Sequence, residues 1–297
     1  MKQVLDTAQL AAISKLFSSS VLQEMTIKGR YDGFSSLVQE TSFLDSVDSD
    51  FLVADFYEYM FRMLIRTENR QEYVYKSAVV QKVLLGKHSL NTASMLSEFR
   101  VEKSKADIAV LNGTSTVYEI KSERDKLSRL KVQIDSYRKF FANVNVIVGE
   151  NHIDAVKEIV PVDVGIMTLT NNYTISVDRE AVNIPSRTCP STIFDSIRRE
   201  ESIKILQEID VSVPELPNSR IYAELKKIFS IQDPEVIHHY MVKVLRETRS
   251  LNSLKSTIKK IPNSLRAAVL GMSLKKEDVS NLELVVNTPL VEALKWN

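Results

Sequence analysis

Asp107-Ile108-Ala109-Val110-Leu111-Asn112-Gly113-Thr114-Ser115-Thr116-Val117-Tyr118-Glu119-Ile120-Lys121 is the stretch on which the fold turns. Asp107 to Leu111 and Thr116 to Ile120 are rich in β-branched and apolar residues, and Asn112-Gly113 between them is a strong hairpin signal. In a strand alternate side chains share a face. Glu119 and Lys121 therefore project together, with Tyr118 and Ile120 on the opposite side. Folding the hairpin brings Asp107, at the start of the first strand, beside Glu119.

Working outward, a further strand reads from Met95 to Val101, and a helix from Gln71 to Leu85 ends near Gly86. After Lys121 a helix runs from about Asp125 to Phe141. Val144 to Gly149 reads as a buried strand, Asp154 to Ile159 as a helix, Val162 to Leu169 as a strand, and Asn171-Asn172 as the turn into an edge hairpin at Tyr173 to Val177. The order describes an α/β fold whose sheet mixes antiparallel and parallel pairs.

Residues 1–68 read as a helical N-terminal region. Leu10, Ile13, Leu16 and Phe17 form one apolar stripe; Phe51, Leu52, Phe56, Met60, Met63 and Leu64 form another, with Asp48-Ser49-Asp50 as its N-caps. Residues 69–182 hold the α/β core. Residues 183–297 return to helices, with stripes beginning at Ile221, Leu225, Ile228 and Phe229 and at Ile237, Met241, Val244 and Leu245.

The composition is ordinary for a soluble globular protein: 44% hydrophobic, 26% charged. A formal net charge of +1 means that affinity for a polyanion must come from locally clustered cations. The single cysteine, Cys189, excludes an internal disulfide or a cysteine zinc cluster and points to a reducing compartment. The N-terminal stretch lacks the apolar core of a signal peptide, and no run has the length to span a membrane, so the expected location is the cytoplasm. A glycine-rich phosphate loop is absent, which argues against ATP-driven activity. His238-His239 do not share a helical face and make a poor metal pair, and Trp296 reads as a packing anchor.

Two carboxylates on neighbouring strands, with a lysine two residues on, make a site for a hard divalent cation such as Mg²⁺ or Mn²⁺ with a positive charge beside it. Hydrolysis of a phosphodiester calls for that set: the cation polarises a phosphoryl oxygen and acidifies a bound water, and the lysine orients the water or stabilises charge. A lone Glu-x-Lys is usually a solvated pair; the aspartate on the preceding strand and the helix directly after give it weight. On that helix Gln133 and Tyr137, four apart, share a face. The ordinary reading of Tyr137 is packing on the sheet.

Asp107, then Glu119-Ile120-Lys121, then Gln133-x-x-x-Tyr137 resembles the PD-(D/E)xK nuclease superfamily in its RecB-like branch, and the run through Ser122, Asp125, Arg129 and Leu130 is similar to a bacterial group of nuclease-like proteins with this core. The resemblance covers roughly residues 70–150 and leaves out the helical flanks. It implies a restriction-endonuclease-like mixed sheet, metal held by Asp107 and Glu119, and catalysis by Asp107, Glu119, Lys121 and Gln133, with Tyr137 in support. Such proteins often add a helical glutamate; Glu72, at the start of the helix leading into the core, fits that place better than Glu98 in the first strand. Ala106 stands where the name-giving motif has proline, as in many RecB-like members.

The expected activity is Mg²⁺-dependent hydrolysis of nucleic acid, double-stranded DNA by family frequency, in defence against foreign DNA. The alternative is a catalytically silent nuclease-fold protein serving as an immunity or adaptor factor, and the helical flanks could seat a protein partner. Candidate phosphate contacts are Arg129 on the catalytic helix and Lys255, Lys259 and Lys260 within the basic stretch Lys243, Arg246, Arg249, Lys255, Lys259, Lys260 and Arg266, where acids are few in the sequence.

Overall fold

Asn112 and Gly113 do form the corner of a hairpin. In the computed structural model, which describes residues 5–43, 50–272 and 274–296, β2 (Ser104–Leu111) runs antiparallel to β3 (Ser115–Lys121), with Leu111 opposite Ser115. The linking residues set Gly113 at φ +68°, which costs glycine little because it has no Cβ to clash. The Asn112 N–H donates to the Thr114 carbonyl at 2.9 Å and closes the loop.

Around this hairpin stands a mixed six-stranded sheet in sequence order, flanked by helices. β1 (Ser94–Val101) pairs antiparallel with β2. β3 pairs parallel with β4 (Asn143–Val148), and β4 with β5 (Gly165–Leu169). β6 (Ile175–Arg179) closes the edge antiparallel to β5, a hairpin two residues later in the chain than the composition suggests. Each parallel pair needs a crossover, supplied by the helices Leu130–Tyr137 and Ile153–Ile159.

Two compact units make up the chain: Met1–Gly86 with Asn171–Tyr173 and Asn252–Asn297, and Lys87–Thr170 with Thr174–Leu251. This line differs from the three consecutive zones 1–68, 69–182 and 183–297. An amphipathic stripe shows that a helix has a buried face and does not say which core it faces. Ile221, Leu225, Phe229, Ile237, Met241, Val244 and Leu245 all join the core of the sheet.

In the first unit the helix Val53–Leu64 buries Val53, Phe56, Tyr57, Met60, Phe61, Met63 and Leu64, as its stripe requires. Of its expected N-caps, Asp48 and Ser49 lie outside the described residues; the N-cap position is Leu52, whose N–H donates to the Asp55 carboxylate at 3.0 Å. The helix beginning at Glu72 turns into a π-helical segment over Val79–Leu84 and runs on through Gly86 to Lys87. Trp296 packs on Phe34, ring centroids 5.2 Å apart.

In the second unit, Leu96 and Phe99 of β1 share one core, and so do Ala106 and Ala109 of β2. Residues three apart face opposite ways in a regular strand. The phase shifts at Glu98, whose φ is +54°; neither Glu98 nor Asp107 makes a ladder pair, although the register on both sides sets them opposite each other. A left-handed residue is the device that moves a strand's buried set to its other face. Gly165 is fixed by contact: a Cβ there would collide with the Asn145 side chain and stand 2.8 Å from the Ala181 nitrogen. Among the described residues no helix is long and apolar enough to cross a membrane.

Ser115 accepts from the Ala142 N–H at 3.0 Å and shares a second hydrogen bond, 2.8 Å long, with Nε2 of buried His238. Burial, aided by the charge of His239, lowers the His238 pKa from 6.5 to about 4. The unfolded chain therefore takes up this proton first as pH falls. The contribution of neutral His238 is whole above about pH 6.5 and is lost toward pH 4, at most about 3 kcal/mol. Denaturant melts across that range should show wild type losing more stability than His238→Gln; parallel curves would refute the assignment. Gly165→Ala should cost roughly 1–3 kcal/mol by the same assay.

Candidate functional site

The face of β3 that carries Val117 into the core also carries Glu119 and Lys121. Strand alternation places them together, and the crossover returns the helix Leu130–Tyr137 over the same face. Ser122 opens this crossover: its N–H and hydroxyl both donate to Asp125, at 2.8 and 2.7 Å. At the far end Asp163 receives both Arg138 and Arg187, and Arg187 also donates to the carbonyls of Arg138, Phe141 and Ala142. Both ends of the helix are thereby pinned.

Glu119 is 1% exposed. Its Oε1 accepts from Lys121 Nζ at 2.5 Å and from Gln133 Nε2 at 2.5 Å; its Oε2 accepts from the Tyr137 hydroxyl at 2.8 Å. Tyr137 thus does more than pack on the sheet: its ring is buried and its hydroxyl meets the carboxylate. Gln133 Oε1 is buried beside them with no hydrogen-bond partner among the described residues. Burial pushes the Glu119 pKa up, against the downward pull of the Lys121 charge and of the donors Lys121, Tyr137 and Gln133. The Tyr137 hydroxyl is pushed far up by burial, then by Glu119, and further by the charge of Asp107.

Asp107 lies where the β2–β3 ladder stops. Ile108 pairs with Tyr118, and one more step of that register sets Asp107 opposite Glu119. There the side chain takes over from the backbone: Oδ2 accepts from the Ile120 N–H at 2.8 Å. On its other side an oxygen of Glu98 lies within 4.8 Å of an Asp107 oxygen, while Glu98 pairs with Lys105 at 2.5 Å. Glu98, Asp107 and Glu119 thus follow one another across β1, β2 and β3. Glu72 belongs to the first unit, exposed at the start of its helix and paired with Lys76 at 2.7 Å.

The arrangement is an all-oxygen acidic row with a buried ammonium and two neutral donors on Glu119, the carboxylate at its β3 end. It is not the open strand face of an ordinary Glu-x-Lys pair, and neither is it wide open to solvent, since Lys121 is only 8% exposed. The left-handed Glu98 had no signal in the sequence, because glutamate is not a residue that favours positive φ.

Arg129 is exposed at the N-cap of the helix Leu130–Tyr137. Lys255, Lys259 and Lys260 lie in the first unit, and the basic stretch that includes them is divided between the two units. It is also less basic than its sequence. Lys243 pairs with Glu208, Arg249 with Glu201 and Lys260 with Glu283, because helices distant in sequence bring acids to it. Lys255 and Lys259 are exposed.

The profile of the family described as "Bacteriophage P4 protein cII" matches residues 65–277, more than two thirds of the chain. Among curated proteins, Protein cII of Enterobacteria phage P4 is 31% identical over 91 residues, which are 30% of this chain and 34% of that protein. The matched segment thus spans about a third of the relative's length. No solved structure matches the chain. The extent of the profile match decides the family: the chain belongs to the bacteriophage P4 protein cII family.

Proposed function

We propose that the second unit is a restriction-endonuclease-like core and that the chain is a Mg²⁺- or Mn²⁺-dependent nuclease of the PD-(D/E)xK type acting on DNA. The observation that carries this reading is the buried Glu119 carboxylate, met by Lys121, Gln133 and Tyr137 and followed across the sheet by Asp107. Stability gives no reason for it. A raised carboxylate pKa means that ionised Glu119 weakens the fold as pH rises through its ordinary titration range. An apolar pair of similar volume would serve the core as well or better.

The donor set fits a hard cation, since Asp107 and Glu119 offer oxygen ligands. The orphaned Gln133 Oε1 fits as well: it is a buried acceptor waiting for a donor such as an ordered water. Asp107 and Glu119 would hold the ion, which supplies an acidified water and a polarised phosphoryl oxygen. Lys121 would supply the positive charge that stabilises the negative charge developing on the phosphoryl oxygens. Gln133 and Tyr137 hold the Glu119 carboxylate in place. Their helix and the apolar core around them exclude bulk water.

Double-stranded DNA as substrate and defence against foreign DNA in the cytoplasm follow from the nuclease resemblance, and the helical flanks would seat a protein partner. One observation favours a second reading, a silent nuclease fold serving as a binding or adaptor protein. Both oxygens of Glu119 are already taken by protein donors, which suits a purely structural ion pair.

Supercoiled DNA, linear DNA and RNA, each incubated with the protein in Mg²⁺, Mn²⁺ or EDTA, separate the two readings. The expected result is metal-dependent cleavage of DNA, lost by about a hundredfold or more in Asp107→Asn. Calorimetric titration of Mn²⁺ should show site binding in wild type and none in Asp107→Asn; equal binding by both sinks the metal reading, and binding of DNA without cleavage leaves the silent one. Thermal melts test the cost of the pair. Lys121→Met alone should lose about 3–5 kcal/mol, and Glu119→Gln with Lys121→Met should regain most of it or exceed wild type.

A further inference from the structure

Arg129, Gln133 and Tyr137 stand four residues apart along the crossover helix and its first turn, and burial grades along them. Tyr137 is fully buried, Gln133 half-buried and Arg129 exposed. Tyr137 and Gln133 both end on Glu119. Arg129 is therefore the solvent end of the same face, one turn above the residue that reaches the carboxylate.

Two more cations, Lys126 and Lys131, flank it, both exposed. Among the described residues no carboxylate pairs with Lys126, Arg129 or Lys131. Of the acids near them, Asp125 accepts from the Ser122 N–H and hydroxyl, and one oxygen of Glu123 is buried. Helix stability does not account for the three cations. The start of a helix is its positive end, so each is placed against the dipole, and the first turn carries no acid to offset them. The arrangement becomes favourable when a polyanion lies across it.

We propose that Lys126, Arg129 and Lys131 form the surface on which the sugar–phosphate backbone of a nucleic acid seats, with Arg129 holding the phosphate nearest to Glu119. The contact reads charge and spacing, not base sequence. It rests on the nuclease reading for the identity of the polymer, and it shifts the contact from the C-terminal lysines to the crossover helix.

The test is fluorescence anisotropy of a labelled DNA duplex of mixed sequence, in EDTA so that no cleavage intervenes. The triple variant Lys126→Ala, Arg129→Ala, Lys131→Ala should bind at least about tenfold more weakly and flatten the log–log salt dependence by up to about three units. Lys227→Ala, which removes a single exposed cation elsewhere in the second unit, should bind as wild type. All four side chains are exposed, so the variants should fold. Wild-type affinity and slope in the triple variant overturn the proposal, as does failure of wild type to bind DNA. Equal competition by polyglutamate would overturn it too and assign the surface to an acidic protein. DNA cleavage with unchanged binding by the triple variant would sink the surface and leave the nuclease. Binding lost in the triple variant, from a wild type that cleaves nothing with either metal, would sink the nuclease and leave the surface.

Discussion

A carboxylate taken out of water must be answered by charge or by donors, and Glu119 is answered by both. Desolvating one ion costs several kcal/mol even after relaxation, so the groups around it are under constraint. Lys121 can reach Oε1 only because it stands two residues on in a strand. Gln133 and Tyr137 can reach it only because the crossover returns over that face in a register that aims both inward. The Ser122–Asp125 turn and the double arginine clamp on Asp163 hold that register at its two ends. The left-handed Glu98 belongs to the same logic. Where β1 and β2 change phase the ladder passes over Glu98 and Asp107, and the Asp107 side chain bonds the Ile120 N–H.

What was legible in the sequence is what repeats at short range. Alternation along β3 put Glu119 and Lys121 on one face, Asn112-Gly113 marked the corner, and the spacing of Gln133 and Tyr137 put them on one side of a helix. Those expectations rest on periods of two and of about 3.6, which neighbours carry. Even so, Tyr137 looked like packing, because a tyrosine's hydroxyl partner is set by the fold and not by its neighbours. The features that stayed hidden are long-range. His238 meets Ser115 across 123 residues of sequence. The acids that quiet Lys243, Arg249 and Lys260 arrive from 35, 48 and 23 residues away. Which helical stripe joins which core is likewise decided by tertiary packing. The helices from Pro190 to Thr248 read as part of a separate C-terminal zone, and they complete the core of the sheet.

Family membership and site chemistry answer different questions. The cII profile runs through the whole of the sheet unit and into the first unit, so the two parts share a history as one chain. It says nothing of what Glu119 does. That has to be argued from cost. Stability selects against a buried charge when an apolar replacement packs equally well. A fold that keeps the carboxylate, its lysine and an unpartnered amide oxygen in one place retains something that packing does not require.

The electrostatics of the surface follow from the same argument. A phosphate approaching Asp107 and Glu119 meets two negative charges, and one buried ammonium cannot offset both them and the incoming anion. With a net charge of +1 the chain supplies no general attraction. Any pull on a polyanion must be local, within about a Debye length of 8–10 Å. Lys126, Arg129 and Lys131 are the proposed source of that pull, since they are exposed on the turn and helix that lead to Gln133. A helix start is the least stable place to put three cations. The strain they impose on the free protein would be relieved by the phosphate backbone proposed to lie across them.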